Sequence, residues 1–275
     1  MEQFDEIGYW SEIKLDIIKE YASAYSKIMN ARNLHHIYID AFAGSGKHLS
    51  RTTGRFVPGS PLNALLIEPQ FREYHFIDLK KQKITSLEEI SGSRKDVFIY
   101  HGNSNEILLE KIIPVVRYEK YRRALCLLDP YGLHLDWKVL FKMGQMGTFD
   151  VFINFPMYDM NLNVLWRDPE KVSTEQAERM NKFWGNDSWK DIAYSPSHQM
   201  SLFGEIRLEK VSNEIIVNAF RKRLEREAGF RYIPKPMAMV NSRNATVYFL
   251  IFASHKPVAK KIVQQIFKKF EPRMI

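Results

Sequence analysis

The chain has 275 residues, 45% hydrophobic, 26% charged and 13% aromatic, enough for a large buried core of ordinary globular composition. Its single cysteine, Cys126, excludes an internal disulfide framework and any multi-cysteine metal site. No run approaches the roughly 18–20 apolar residues of a bilayer span, and the acidic start Met1-Glu-Gln-Phe-Asp-Glu6 has neither the basic nor the apolar part of a signal peptide, so no membrane association and a cytoplasmic location are expected.

The net charge is +8, and part of it is clustered: Arg117-Tyr-Glu-Lys-Tyr-Arg-Arg123, Arg221-Lys-Arg-Leu-Glu-Arg226, and Lys260, Lys261, Lys268 and Lys269 near the end. Such runs serve either as solvated helix faces or as contacts to nucleic acid.

In chain order, an apolar pattern from Trp10 through Ile13, Leu15, Ile17, Ile18, Tyr21 and Tyr25 predicts a helix over about 10–30, with Ser11 as its cap. His35-His36 reads as the end of the following loop. Strands are predicted at Ile37–Ala43, Tyr74–Asp78, Val97–Gly102, Ala124–Asp129 and Phe149–Asn154. Helices fit between them: one opened by Ser60-Pro61, with serine as cap, then Leu79–Ile90 and Asn103–Val115. Residues 157–229 break the rhythm and read as a mainly helical insertion ending in a long helix near 211–228. Pro236–Asn241 and Val247–Ala253 then read as a two-stranded hairpin around Ser242-Arg-Asn-Ala245. Seven strands alternating with helices predict an α/β fold, with a mostly parallel sheet covered on both faces. One domain over 1–275 is expected. Cys126, inside Ala-Leu-Cys-Leu-Leu, reads as a buried structural thiol.

In open α/β sheets, ligands bind beyond the carboxyl ends of the strands. Strand one ends at Asp40, Phe42, Ala43, Gly44 and Gly46; strand two at Asp78; strand three at Gly102-Asn103; strand four at Asp129-Pro130-Tyr131; strand five at Asn154-Phe-Pro156. Gly44 and Gly46 allow a sharp turn and close approach of the backbone to a ligand. Asp78 could accept hydrogen bonds from a ribose diol, although it lies 32 residues beyond Gly46 and the usual gap is ~20. Asn103 could hold an adenine edge, and Asp129 could face a ligand's amino group or a substrate amine.

Three rival motifs fit less well. A phosphate loop needs glycine where Ala41 stands and Ser or Thr where His48 follows Lys47; a dinucleotide fingerprint needs glycine where Leu49 stands. A metal-dependent nuclease could use the acid and lysine of Asp78-Leu-Lys80, but no matching acid lies on a preceding hairpin strand. The eight histidines show no metal spacing, and no metal is expected.

Tyr38-Ile-Asp-Ala-Phe-Ala-Gly-Ser-Gly46 resembles the first motif of class I methyltransferases, in the Phe-Ala-Gly form of nucleic-acid methylases. More narrowly, the chain resembles the three-Cys-motif partner (TcmP) family, in Trp10, Lys14-Leu15 and Tyr21, the Asp-Ala-Phe-Ala-Gly turn, Gly59-Ser-Pro61, Leu128-Asp-Pro-Tyr-Gly132 with Trp137, and Ile153-Asn-Phe-Pro156, over roughly residues 10–156. The resemblance implies a Rossmann-like methyltransferase fold and an S-adenosylmethionine site. It also implies a neighbouring partner protein bearing a three-cysteine motif of radical-SAM type. DNA amino-methylases carry a second proline after strand four, where the site grips a flipped base; here the motif is Asp129-Pro130-Tyr131-Gly132. Asp129, Pro130 and Tyr131 are the candidate catalytic residues. The aromatic residues Trp166, Phe183, Trp184 and Trp189 of the insertion are read either as substrate contacts or as a small helical core. The two leading functions are a methyltransferase acting on nucleic acid or a nucleotide-like substrate, and a non-catalytic or cofactor-binding partner of another protein.

Overall fold

The structure, a computed structural model, describes residues 5–200 and 206–271. Its main sheet has seven strands: β1 (His35–Asp40), β2 (Glu73–Asp78), β3 (Val97–His101), β4 (Arg122–Leu128), β5 (Phe149–Phe155), β6 (Met237–Val240) and β7 (Thr246–Ala253). They lie in the order β6-β7-β5-β4-β1-β2-β3. The first five run parallel, while β7 is antiparallel to both β5 and β6. The chain builds outward from β1 to β3 and then restarts on the other side of β1 with β4, so the topological switch point lies at the carboxyl ends of β1 and β4.

Among the described residues ten α-helices surround the sheet: α1 (Tyr9–Ala31), α2 (Ser60–Leu65), α3 (Lys81–Ser91), α4 (Ser104–Ile107, continuing into a π turn over Leu108–Ile112), α5 (Trp137–Met146), α6 (Met157–Asn163), α7 (Thr174–Trp184), α8 (Trp189–Ala193), α9 (Asn213–Arg226) and α10 (Pro257–Phe270). Period-two alternation within the strands divides the core between the two faces. Tyr38, Tyr74, Phe76, Leu125, Leu127 and Phe152 point to the face covered by α1, α2, α3 and α10. Ile37, Ile39, Cys126, Leu128, Val151 and Ile153 point to the other, under α5, α7 and α9. On α1, Ile13, Ile17, Ile18, Tyr21, Ala22 and Tyr25 recur every three or four residues and are buried, the stripe of an amphipathic helix lying on a sheet.

Several details differ from the sequence reading. The α1 cap is Gly8, whose carbonyl accepts from Ser11 N–H at 2.9 Å, so Ser11 lies inside the first turn. His35 and His36 belong to β1; His36 Nε2 meets Ser26 Oγ at 2.9 Å. Ser60 begins α2 behind a Gly59 cap and makes no capping bond. Cys126 is fully buried. Residues 157–229 carry α6–α9 and also an antiparallel pair of strands, Tyr194–Met200 and Ile206–Lys210, that periodicity did not reveal. Phe183, Trp184 and Trp189 of that segment are buried in the core shared with the sheet, Phe183 stacking on Phe220 at 5.2 Å. They are core residues and not substrate contacts; Trp166 alone of the four is exposed. A three-stranded sheet of Asp5–Ile7, Lys47–Ser50 and Phe56–Pro58 was also absent from the sequence reading.

Candidate functional site

Past β1 the chain turns through Gly44 (φ +67°) and Gly46 (φ +77°). The two glycines serve different needs. A Cβ on Gly46 would lie 2.3 Å from Ile90 Cδ1 of α3, whereas one on Gly44 would meet nothing nearer than His48 Cε1 at 3.8 Å. Gly46 therefore lets the loop pack on α3, and Gly44 faces open space. Gly59 closes on the same loop: its N–H donates to Gly46 O at 2.8 Å, and a Cβ there would sit 2.9 Å from Gly46.

Asp78 fastens this loop to the next one. Its Oδ2 accepts Gly44 N–H at 3.0 Å and its Oδ1 accepts Lys80 N–H at 2.8 Å. A carboxylate has about four lone-pair sites, so each oxygen keeps acceptor capacity after organising the backbone. Ala43 N–H donates to Ile77 O at 2.9 Å, and Gly102 N–H to Asp78 O at 3.1 Å, so the ends of β1, β2 and β3 are tied together. Asn103 caps α4: its Oδ1 accepts Asn105 N–H at 2.9 Å. Ser104 Oγ donates to Ala41 O.

Asp40 lies at the end of β1, fully buried. Burial pushes its carboxyl up to about 7, opposed by the nearby Ser60 hydroxyl, with the charge of Asp129 as a further upward push. Its Oδ1 accepts Phe42 N–H at 3.4 Å, while Oδ2 is buried without a partner; His48 Nδ1 and Asn154 Oδ1 are in the same state. A buried polar atom left unpaired costs about 1–3 kcal/mol, so three of them around one sheet edge mark a place where a polar ligand is worth more than elsewhere. Burial, then Lys14, holds the His48 imidazole below its usual range.

At the switch point Asp129 is held from two sides. Lys14 of α1 donates to its Oδ2, and Asn154 of β5 donates to its Oδ1 at 2.6 Å. Lys14 also sits 5.2 Å from the centre of the Tyr248 ring. Pro130 is buried, and Tyr131 is 67% exposed, with its hydroxyl held 3.2 Å from Asp5 Oδ2. The glycine that follows Tyr131 has a local cause. Gly132 adopts φ +66°, and a Cβ there would lie 2.7 Å from Asp159 Oδ2. Asp159, from α6, accepts Leu133 N–H at 3.2 Å and Asn163 Nδ2 at 2.7 Å and pairs with Arg179 at 3.4 Å. The loop is thus closed by a carboxylate packed where a side chain would go.

The amino-terminal segment crosses this edge. Asp5–Ile7 pairs in parallel with Lys47–Ser50, directly after the glycine loop, and Asp5 forms a 2.6 Å ion pair with Lys83 of α3. Lys83 is 3.4 Å from Tyr131 Oη. One short strand thereby links the loops after β1 and β4 to α3. Lys83 lowers the Asp5 carboxyl against the opposing effect of burial.

The structure thus brings Asp40, Phe42, Ala43, Gly44, Gly46, Asp78, Asn103, Asp129, Pro130 and Tyr131 to one sheet edge. Sequence reasoning missed Lys14, Asp5, Lys83 and His48 as members of this edge. Lys14 had drawn notice only within the family resemblance, and its bond to Asp129 spans 115 positions. Part of the basic charge is used internally: Arg122 pairs with Glu73, Arg123 stacks over Tyr118 at 4.0 Å, Arg223 lies over Trp137 at 4.9 Å, and Lys269 pairs with Glu20 at 2.6 Å. Among the described residues no group of three or more His, Cys, Asp or Glu is placed to hold a metal ion, and no helix is long and apolar enough to cross a membrane.

No protein-family model matches the chain, and no curated protein does. Among solved structures, it is similar to a Legionella pneumophila protein of the DUF519 family, at 11% identity over 94% of this chain and 93% of that one, with a TM-score of 0.50. It overlaps less closely with an S-adenosylmethionine-dependent methyltransferase from Mesorhizobium loti (10% identity, 80% and 90% covered, TM-score 0.35). The DhpI–SAH complex overlaps to a similar extent (9% identity, 90% and 97% covered, TM-score 0.32). The chain is therefore an α/β protein with a seven-stranded, mostly parallel sheet, the fold it shares with the Legionella protein.

Proposed function

We propose that the chain is an S-adenosylmethionine-dependent methyltransferase of the three-Cys-motif partner type, built as one domain and acting on nucleic acid or a nucleotide-like acceptor. The observation that carries this reading is the convergence of the Gly44 turn, Asp78 and the unpartnered atoms of Asp40, His48 and Asn154 at the switch point of the sheet. These residues fit an adenosine bearing a charged amino-acid tail. Gly44 faces open space for close approach, Asp78 keeps lone pairs for a ribose diol, and the buried Oδ2 of Asp40 lacks the donor that an ammonium provides. Gly102 and Asn103 border the place for the base.

The bound cofactor supplies an activated methyl group, so the protein has mainly to align the acceptor with it. In this reading Asp129 accepts from the acceptor amine, Tyr131 offers its exposed ring to a flat substrate, and Pro130 fixes the turn between them. Incubation with methyl-labelled S-adenosylmethionine and separate DNA, RNA and nucleotide pools tests it. The expected result is label transfer to one pool, abolished in Asp129→Ala with the fold retained; an active Asp129→Ala protein would remove Asp129 from the chemistry.

One observation favours a second reading, a cofactor-binding partner of a three-cysteine-motif protein without its own turnover. Each Asp129 oxygen already accepts from a fixed side-chain donor, Lys14 on one and Asn154 on the other, so the carboxylate has a structural role without any substrate. Stable co-purification with such a protein, and no label transfer to any pool, would support it over the first.

A further inference from the structure

A cavity of about 290 Å³ opens at the other end of the sheet. It lies beside the first residues of β4 and β5, below α1 and beside the segment that leads from β7 into α10. The seven residues of β5 put it about 20 Å from the carboxyl ends at ~3.3 Å per residue. Its walls are aromatic and apolar, among them Tyr25, Phe149 and Ile262. Three cations line it: Arg32 at the end of α1, Arg123 of β4, and Lys256 before α10. Arg32 and Lys256 are exposed. Among the described residues, none of the three forms an ion pair with a carboxylate; Arg123 is buried, lies over the Tyr118 ring at 4.0 Å and donates through one nitrogen to Arg122 O at 2.8 Å, so the two exposed cations are the freer pair.

The lining has one carboxylate, Asp150, which accepts Tyr21 Oη at 2.7 Å and Ser254 Oγ at 2.5 Å and offsets part of the charge of Lys256. His255 and the phenols of Tyr21, Tyr25, Tyr118 and Tyr121 are the remaining titratable groups of the lining; burial, then Arg231 and Lys256, hold the His255 ring below the usual range, which favours the neutral form. The balance is an excess of positive charge around an aromatic chamber. Guanidinium groups recognise carboxylate and phosphate oxygens through paired N–H donors, and a pocket with apolar walls and few charged groups is the usual form of a small-molecule site.

We propose that this cavity binds a small planar ring carrying one anionic group, with the ring among Tyr25, Phe149 and Ile262 and the anion held by Arg32, Arg123 and Lys256. The site is separate from the proposed cofactor edge and does not depend on the methyltransferase reading. Phosphate and carboxylate share the chemistry that the cations read, so both are tested.

The experiment is calorimetric titration of the full chain with phenyl phosphate and with benzoate, with phenol and inorganic phosphate as ring-only and anion-only probes. At least one of the two ring anions should bind, and the tighter one identifies the anion type. The expected loss is about ten-fold or more for each single-part probe and for the Arg32→Gln/Lys256→Gln variant. Both substituted positions are exposed, so the variant's thermal unfolding without ligand should match the wild type. Binding should persist in saturating S-adenosylmethionine. No binding of either ring anion at about 10 mM, equal binding of inorganic phosphate, indifference to the double substitution, or displacement by S-adenosylmethionine would each overturn the proposal.

Discussion

The carboxyl edge of the sheet has two halves built by different means. The half formed by β1, β2 and β3 is local: a glycine turn, a carboxylate that binds the backbone on either side, and an asparagine cap. The half formed by β4 and β5 is assembled from afar: Lys14 of α1, Asn154 of β5 and Asp159 of α6 all bear on the Asp129–Gly132 loop. The first half is organised by backbone geometry and the second by paired charges, so substitutions should act mainly through packing and backbone strain in one and through charge pairing in the other.

The largest effect is expected from Gly46→Val. Its Cβ would meet Ile90 at 2.3 Å on a residue with positive φ, so overpacking and backbone strain together should cost about 3 kcal/mol or more in denaturant unfolding. Gly44→Ala, with open space before it, should cost only about 1 kcal/mol of strain. Equal losses at the two glycines would erase the distinction between a packing glycine and an approach glycine.

Lys14→Met should cost roughly 3 kcal/mol, because it leaves the Asp129 carboxylate with a single donor at a site mostly out of water. Adding Asp129→Asn should recover most of that loss. A double-mutant cycle without coupling would show that the pair does not hold the second half together.

Asp40 gives a pH-dependent comparison. Its folded-state value of about 7 lies above the unfolded value of 3.8, so the folded state retains a proton that the unfolded chain has lost. Its contribution is therefore most favourable below about pH 4 and declines as pH rises to about 7, by a few kcal/mol at most. Asp40→Asn should gain stability relative to the wild type across that window; a difference independent of pH would show that the carboxyl is not buried as described. A small effect, of the size expected for Gly44→Ala, belongs to Tyr131→Phe, which removes the hydroxyl shared with Asp5 and should cost about 0.5–1.5 kcal/mol.

The same contrast explains what was legible in the sequence. The first five strands were readable because each is a short apolar run ended by glycine, proline or an acid, and the last two because they flank the turn-like Ser242-Arg-Asn-Ala245. The carboxyl-edge residues were readable because they follow those ends directly. The Lys14–Asp129 pair was not, since nothing local to either residue signals the other. The strand at Asp5–Ile7 was missed because three residues carry no periodicity and take their form from pairing with Lys47–Ser50. Ser60 was misassigned because a serine before proline usually caps, whereas here Gly59 takes the cap position and Ser60 is the first helical residue. The aromatic residues of 157–229 could not be sorted by composition: Trp184 and Trp166 look alike in sequence, yet one is fully buried and the other 41% exposed.

The central claim is that the glycine-turn half of the edge holds S-adenosylmethionine. Its most direct test is calorimetric titration of that compound and its demethylated product into the wild type and into Asp78→Asn, a substitution that keeps one acceptor for the backbone. The account expects binding near the micromolar range, weakened about ten-fold or more in the variant. No binding at about millimolar ligand, or equal binding by the two proteins, would contradict it.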